Sequence, residues 1–253
     1  MINPNSLLEP LHFPVMLDEI IKICSPDKGG VYIDCTFGGG GYSKKLLQFS
    51  KTKVIALDRD DFILNISQSL EKKYPNRFFF HQKKFSEVNT VVENQLADTV
   101  IFDLGVSSIQ LHNLERGFSF NSKATLDMSM GLSKTSAEEV INNFSEQALK
   151  SIIKILGEEK DASRIAKNIV KTRSIKKITK VDQLVAIIEK SKKKDYAKKI
   201  HPSTKTFQAL RIFVNKEITE LIEGIINATK ILKPGGKILI VSFHSIEDKI
   251  VKY

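Results

Sequence analysis

Three short stretches hold the residues most able to do chemistry. The first is Asp34-Cys-Thr-Phe-Gly-Gly-Gly-Gly-Tyr42, four consecutive glycines bounded by an acid and an aromatic ring. Glycines there let backbone N–H groups and a following helix start approach a ligand closely. Asp58 closes an apolar run 24 residues after Asp34. An acid so placed hydrogen-bonds both hydroxyls of a ribose. Together these residues predict an adenosine-containing cofactor. A dinucleotide fits less well, because the spacing Gly38-x-Gly40-x-x-Ser43 lacks the third glycine of the dinucleotide fingerprint. Tyr42 also crowds the path of a pyrophosphate. S-adenosylmethionine (SAM) has no pyrophosphate and is the favoured cofactor. The turn Lys233-Pro-Gly-Gly236 ahead of an apolar run is also common in methyltransferases.

The second stretch is Asp103-Leu-Gly-Val-Ser-Ser-Ile-Gln110. It follows an apolar run, so it leaves a strand where substrate would meet cofactor. Asp103 can accept from the amino group of SAM or orient a substrate, and Ser107, Ser108 and Gln110 offer small polar contacts. The third is Ser242-Phe-His-Ser245, which puts His244 just past the last strand. His244 suits a base only within ~3 Å of a reacting proton, and a capping role fits the same position.

The elements that must position these residues alternate. Short apolar runs at 31–35, 53–58, 77–80 and 99–103 read as strands, with helical spacing at 42–49 and 62–74 between them. Such alternation implies crossover connections and a parallel sheet covered on both faces. Residues 106–134 are irregular. Residues 137–144, 147–156, 162–171 and 181–190 then read as helices with no strand between them. One long helix over 207–232 and a buried strand over 237–243 follow. The expected fold is α/β: a SAM-binding domain over 1–110 and 208–253, interrupted by an all-helical insert over 111–207.

Composition narrows the classes. The 253 residues are 42% hydrophobic and 27% charged, which excludes disorder and collagen. No apolar run nears the ~18–20 residues of a membrane helix, so no membrane partner is expected. The N-terminus lacks a basic region followed by an apolar stretch, so no secretory signal is expected. Two cysteines, Cys24 and Cys35, make neither a disulfide scaffold nor a zinc ribbon, and a cytoplasmic location is the expectation. His12, His81 and His112 are scattered, so no metal is expected. Net charge is +10, and residues 151–200 alone carry +9. A charge so concentrated points to a polyanionic partner.

Six blocks together are similar to one known family. They are His12-Phe-Pro-Val-Met-Leu-Asp-Glu19; Asp34 to Ser43; Asp103 to Gln110 with Arg116-Gly-Phe-Ser-Phe120 and Leu126-Asp-Met128; Gly157-Glu-Glu159 with Arg164-Ile-Ala166; His201-Pro-Ser-Thr-Lys-Thr-Phe-Gln-Ala-Leu-Arg-Ile-Phe-Val-Asn215; and Ser242-Phe-His-Ser-Ile-Glu-Asp-Lys-Ile-Val251. In this order they resemble the bacterial 16S rRNA N4-cytidine methyltransferases, the MraW family. The resemblance implies a class I SAM-dependent methyltransferase fold, Rossmann-like with a mostly parallel sheet, whose helical insert recognises substrate. It implies methylation of the exocyclic N4 of a cytidine in the decoding region of 16S rRNA, with rRNA within the 30S subunit as the expected partner. By position it puts the SAM contacts on Gly40, Gly41, Tyr42, Asp58, Phe85, Asp103 and Gln110. Two departures stand out. Tyr42 replaces the family's usual histidine, and the family continues for some tens of residues past this chain's last block. From the second departure a shortened sheet with an exposed fifth strand is expected.

Many amino-methyltransferases carry a Pro-Pro-aromatic platform after strand four, and Asp103-Leu-Gly-Val lacks it. The acceptor for the cytidine amino group is therefore open among Asp103, Ser107, Asp127, Asn215 and His244. His201, Lys205 and Arg211 stand where the insert rejoins the core and are candidates for RNA contact, as an ion pair is for Arg211. Lys176, Lys177, Lys192, Lys193 and Lys194 are candidates for phosphate contact, with an affinity that falls as salt rises. Glu158 and Glu159 are expected to pair with Arg164. A noncatalytic SAM-fold RNA-binding or ribosome-assembly protein, or an inactive fragment, is the alternative; turnover separates it from an enzyme.

Overall fold

The computed structural model describes residues 14–92, 96–107, 110–111, 113–192 and 200–253. Ser108, His12, His112, Lys193 and Lys194 lie outside the described residues. The described residues form two compact units, one of Met1–Ser108 with Ile222–Tyr253 and one of Ile109–Leu221. The second unit thus runs further along the chain than the insert read from the sequence, past 207 to 221.

In the first unit five strands form one parallel sheet: β1 (Gly30–Asp34), β2 (Thr52–Asp58), β3 (Phe78–Gln82), β4 (Ala97–Asp103) and β5 (Leu232–Val241). Their order is β3-β2-β1-β4-β5. Ile33, Val54, Leu57, Val100, Ile101 and Phe102 are fully buried, as befits strands covered on both faces. Helices α1 (Leu17–Cys24), α2 (Gly41–Leu46) and α3 (Leu64–Lys73) belong to this unit. The chain winds from β1 outward to β3, then returns to the other side of β1 as β4. That reversal makes the β1/β4 crevice the switch point where ligands of open α/β sheets bind.

Two expectations change. The strand before the last block starts earlier than 237, because Leu232 already pairs with Ala97. Pairing then jumps to Thr99 with Lys237, and Lys233-Pro-Gly-Gly236 forms the irregularity between. A proline has no N–H for the ladder and a glycine at φ 78 turns the chain, so the excursion sits where those residues are. β5 lies at one edge of the sheet. The chain ahead of it is not one helix over 207–232. It is α8 (Thr204–Asn215) and α9 (Glu217–Ile231), separated by Lys216 in the left-handed region at φ 53. Helical spacing continues through the break, so periodicity alone does not reveal it.

The second unit is helical: α4 (Ala137–Asn143), α5 (Glu146–Leu156), α6 (Ala162–Arg173), α7 (Val181–Ser191) and α8, with the first turn of α9. Ser136 and Ser145 start α4 and α5 by accepting from the N–H groups of Glu139 and Ala148, both at 3.2 Å. Val140, Ile141, Leu149, Ile153, Ile165, Ile169, Leu184, Ile188 and Leu210 form its core. Gly157 has no side chain because a Cβ there would run into the backbone of Lys205. At the other end of α6, Arg173 donates to the carbonyls of Ile141 and Phe144, both at 2.5 Å, and so ends α4. Asn215, the last residue of α8, is a buried polar group of this unit.

Candidate active site

Parallel register brings the strand-end acids to one edge. Asp34 stands opposite Ala56 and Ile101, Asp58 opposite Gln82, and Asp103 opposite Val241. Asp34 is fully buried and accepts from the Ser43 hydroxyl at 2.6 Å. Burial pushes its carboxyl above the usual range, while hydrogen bonds from Ser43 and Thr36 pull it down. The hydroxyl of Thr36 in turn accepts from the Asp103 N–H at 2.7 Å. Asp34, Thr36 and Ser43 therefore lock the glycine loop, the start of α2 and the end of β4 to one another. The sequence shows Asp34 as a strand-end acid, but not this locking role; polar Thr36 and Ser43 beside apolar strands were the available signal.

The loop itself turns through Gly38 at φ 49 and Gly40 at φ 75, values that side chains resist. The Gly38 N–H donates to Asp58 Oδ2 at 2.8 Å, and the Asp60 N–H donates to Oδ1 at 2.9 Å. Each carboxylate oxygen keeps a second lone pair for a ligand hydroxyl. Burial pushes Asp58 up to about 6, against the pull of those two N–H groups. A Cβ placed on Gly39 would meet no atom within 4 Å, so the loop is open there. Ser107 comes against the loop, 3.8 Å from where a Gly38 Cβ would stand.

Asp103 is a third perturbed acid at this edge. Burial, then the charge of Asp34, pushes it up to about 7; the Tyr42 hydroxyl lowers it and Glu247 raises it. Its Oδ1 is buried with no hydrogen-bond partner among the described residues. A buried acceptor left unsatisfied is costly unless a ligand completes it. Tyr42 is 3% exposed and donates to the Val15 carbonyl at 2.5 Å. Burial raises the Tyr42 hydroxyl pKa above its ordinary value, so it stays neutral. Phe85 opens a short 3-10 turn (Phe85–Thr90) after β3 and is half-buried, edge-on to Phe102 with centroids 5.5 Å apart. Gly224 is its close neighbour: a Cβ there would come within 2.7 Å of the ring.

His244 caps α10 (Ser245–Lys252). Its Nδ1 accepts from the Glu247 N–H at 3.3 Å, and Nε2 lies 3.1 Å from Glu247 Oε1. Glu247 Oε2 accepts from the Phe243 N–H at 2.8 Å. The structure gives this histidine a capping role just beyond the edge strand.

The remaining candidates belong to the helical unit. Gln110 is buried there. Asp127 accepts from the Ser129 hydroxyl at 2.9 Å. Asn215 is 1% exposed, and its amide is consumed by structure. Its oxygen accepts from the Met130 N–H and the Ser133 hydroxyl, both at 2.8 Å, and its nitrogen donates to the carbonyls of Met128 at 2.8 Å and Arg211 at 2.9 Å. Asn215 thus ties the 128–133 loop to α8 through both ends of its amide. Arg211 makes a two-pronged ion pair with Glu217, both contacts at 2.9 Å. His201 stacks on Phe120 at 4.2 Å, and Lys205 donates to the Glu158 carbonyl at 3.0 Å. Lys177 pairs with Glu138 at 2.7 Å, while Lys176 is exposed.

Two pairings differ from expectation. Arg164 pairs with Asp161 at 2.6 Å, not with Glu158 or Glu159. Glu159 is buried and pairs instead with Lys192 at 2.5 Å, which also donates to the Pro202 carbonyl. Lys192, 16% exposed, is therefore a structural cation rather than a surface one. Sequence distance hid this pair, one member in the α5–α6 connection and the other just past the end of α7.

The residues at the sheet edge suit SAM. The open glycine loop, the ribose-type acid Asp58 and the unsatisfied Asp103 oxygen together offer hydroxyl acceptors and a negative charge for a cationic ligand. A parallel sheet of this order with those groups at its switch point defines a class I SAM-dependent methyltransferase. Within that class the chain belongs to the MraW methylase family, whose family model matches residues 9–253. The ribosomal RNA small subunit methyltransferase H of Ehrlichia ruminantium (strain Welgevonden) is 42% identical over 246 residues, covering 95% of this chain and 82% of that protein. The same-named protein of Neorickettsia sennetsu is 43% identical over 246 residues, covering 97% and 83%. That of Rickettsia massiliae is 43% identical over 242 residues, covering 95% and 78%. A solved rRNA methylase from Streptococcus thermophilus is a distant likeness, with a TM-score of 0.31, 18% identity and coverage of 46% of this chain and 71% of that one. No helix among the described residues is long and apolar enough to cross a membrane.

Proposed function

We infer that this chain methylates the exocyclic N4 of a cytidine in the decoding region of 16S rRNA, with the 30S subunit as substrate. The relatives' shared name, ribosomal RNA small subunit methyltransferase H, supports small-subunit rRNA as the substrate. The +9 charge of residues 151–200 supports a polyanion. The observation that carries the chemistry is the buried, unpartnered Oδ1 of Asp103 at the end of β4.

Asp58 would accept from the ribose hydroxyls of SAM, the loop from Gly40 to Tyr42 would border its polar chain, and Phe85 would cover the adenine; the Gly40 N–H itself is used within the loop, donating to the Phe37 carbonyl at 2.7 Å. Bound there, SAM supplies a methyl group on a positively charged sulfur. The cytosine N4 lone pair is conjugated into the ring and is a weak nucleophile. An acceptor for the amino hydrogens would favour pyramidal nitrogen as its bond to carbon forms and the carbon–sulfur bond breaks, and would take the proton that the methylated nitrogen sheds. Asp103 and Ser107 are the candidate acceptors that the β4 loop presents; His244 and Asp127 already engage Glu247 and Ser129. Alignment of nitrogen with methyl supplies much of the acceleration, since good alignment is worth about 7–11 kcal/mol. Replacing Asp103 by Asn keeps the shape but removes the charge. It is expected to lower methyl transfer to 30S subunits about a hundredfold. Transfer at the original rate would remove Asp103 from the chemistry.

A further inference from the structure

The helical unit contains a concavity of about 400 Å³ between α6, α7 and the segment joining them. Lys171 on α6, Lys176 and Lys177 on the joining segment and Lys190 on α7 surround it; Ile178 and Ile187 form its floor. All four lysines are exposed. Only Lys177 has an ion pair among the described residues, with Glu138. Lys171, Lys176 and Lys190 thus bring three uncompensated positive charges to one hollow. Its uncharged polar walls are already used: Asn168 donates to Ser191 at 2.8 Å, Thr172 to the Asn168 carbonyl at 2.8 Å, and Gln183 accepts from the Thr179 N–H at 2.9 Å. No aromatic side chain lines it. A ligand is therefore met by charge and an apolar floor, without base-specific hydrogen bonds or stacking.

We propose that the α6–α7 groove of the helical unit grips the sugar-phosphate backbone of a single RNA strand, independently of sequence. Lysine ammoniums are point charges suited to phosphate oxygens. Isoleucine floors and lysine stems suit the apolar edges of a sugar. Charges converging from three directions on one hollow fit a bent single strand better than the evenly spaced phosphates of a duplex. The groove also explains why the excess charge of 151–200 is not spent in pairing: Lys192, Lys177 and Arg173 serve the fold, while these three lysines do not. The choice of RNA over another polyanion rests on the function proposed above.

The test uses the full 253-residue protein and a labelled single-stranded RNA of about 20 nucleotides, longer than one ordinary single-strand site. Lys171→Glu with Lys176→Glu is compared with Lys154→Glu and Lys160→Glu, which make the same charge change at exposed sites outside the groove. The groove pair is expected to weaken RNA binding about tenfold more than the control pair. Lys171→Ala should lower the slope of log affinity against log salt by about 0.7. Ala186→Glu, a change at an exposed helical position lining the groove, should reproduce the loss. SAM binding serves as the folding check and should be unchanged in every variant. Equal losses in groove and control pairs would overturn the proposal. So would unchanged RNA binding with lost affinity for oligo-glutamate, which would assign the groove to an acidic protein segment. Groove-dependent RNA binding without methyl transfer to 30S subunits would instead sink the proposed reaction and leave the groove standing.

Discussion

At the scale of the residue, two aspartates carry contrasting duties. Asp58 is held by two backbone N–H groups, so its position is fixed before a ligand arrives. Asp58→Ala is expected to abolish measurable SAM binding while leaving RNA affinity intact, as calorimetry and an RNA-binding assay would read; unchanged SAM affinity would remove Asp58 from the site. Asp103 has a pKa pushed up to about 7 by burial first, then by Asp34. In the free protein such an acid is protonated more readily than in the unfolded chain. Its contribution favours the fold below pH about 4 and is lost as pH rises through about 7. A cationic ligand reverses the preference and stabilises the ionised form. SAM binding should therefore release a proton near pH 7 and tighten from pH 6 to pH 8, with the pH dependence flattened in Asp103→Asn. Titration calorimetry in buffers of different ionisation heat reads the proton directly. Both aspartates were legible as strand-end acids spaced along alternating apolar runs. What was not legible was occupancy: Asn215 has the type and the neighbourhood of an acceptor, yet four hydrogen bonds already use its amide. Asn215→Ala should cost about 2–4 kcal/mol in urea unfolding, because buried backbone groups lose their partners.

At the scale of the element, the first four strands were read nearly where they stand, because short apolar runs in an alternating pattern admit few alternatives. Helix ends were harder. The apolar spacing of 207–232 runs across Lys216, and only the backbone shows that the chain turns left-handed there. A lysine in that conformation carries a steric cost that glycine does not. Lys216→Gly is expected to stabilise the protein by about 1 kcal/mol, and Lys216→Val to destabilise it by more, in urea unfolding. A continuous helix would give the opposite order, since glycine is a poor interior residue of a helix. The same blindness to long-range partners explains Glu159, which finds Lys192, just past the end of α7, rather than Arg164 nearby. Spacing predicts neighbours on one helix; it does not predict what another helix brings.

At the scale of the whole molecule, the described residues form a unit built on a parallel sheet and a helical unit, and the proposed function gives cofactor to the first and substrate to the second. The division was visible in the sequence as a change from alternating elements to helices alone. Its return boundary was not, since α8 packs its apolar face in the helical unit while still reading as part of a long helix toward β5. The charge excess was visible too, but the sequence could not sort lysines paired within the fold, such as Lys192 and Lys177, from exposed ones such as Lys171 and Lys176. The most direct test of the proposed reaction is to incubate the 253-residue protein with methyl-labelled SAM and unmethylated 30S subunits, digest the 16S rRNA and identify the labelled nucleoside. Label in N4-methylcytidine from the decoding region is the expected result. Label in any other nucleoside, or none while a longer relative labels the same subunits in parallel, would contradict it.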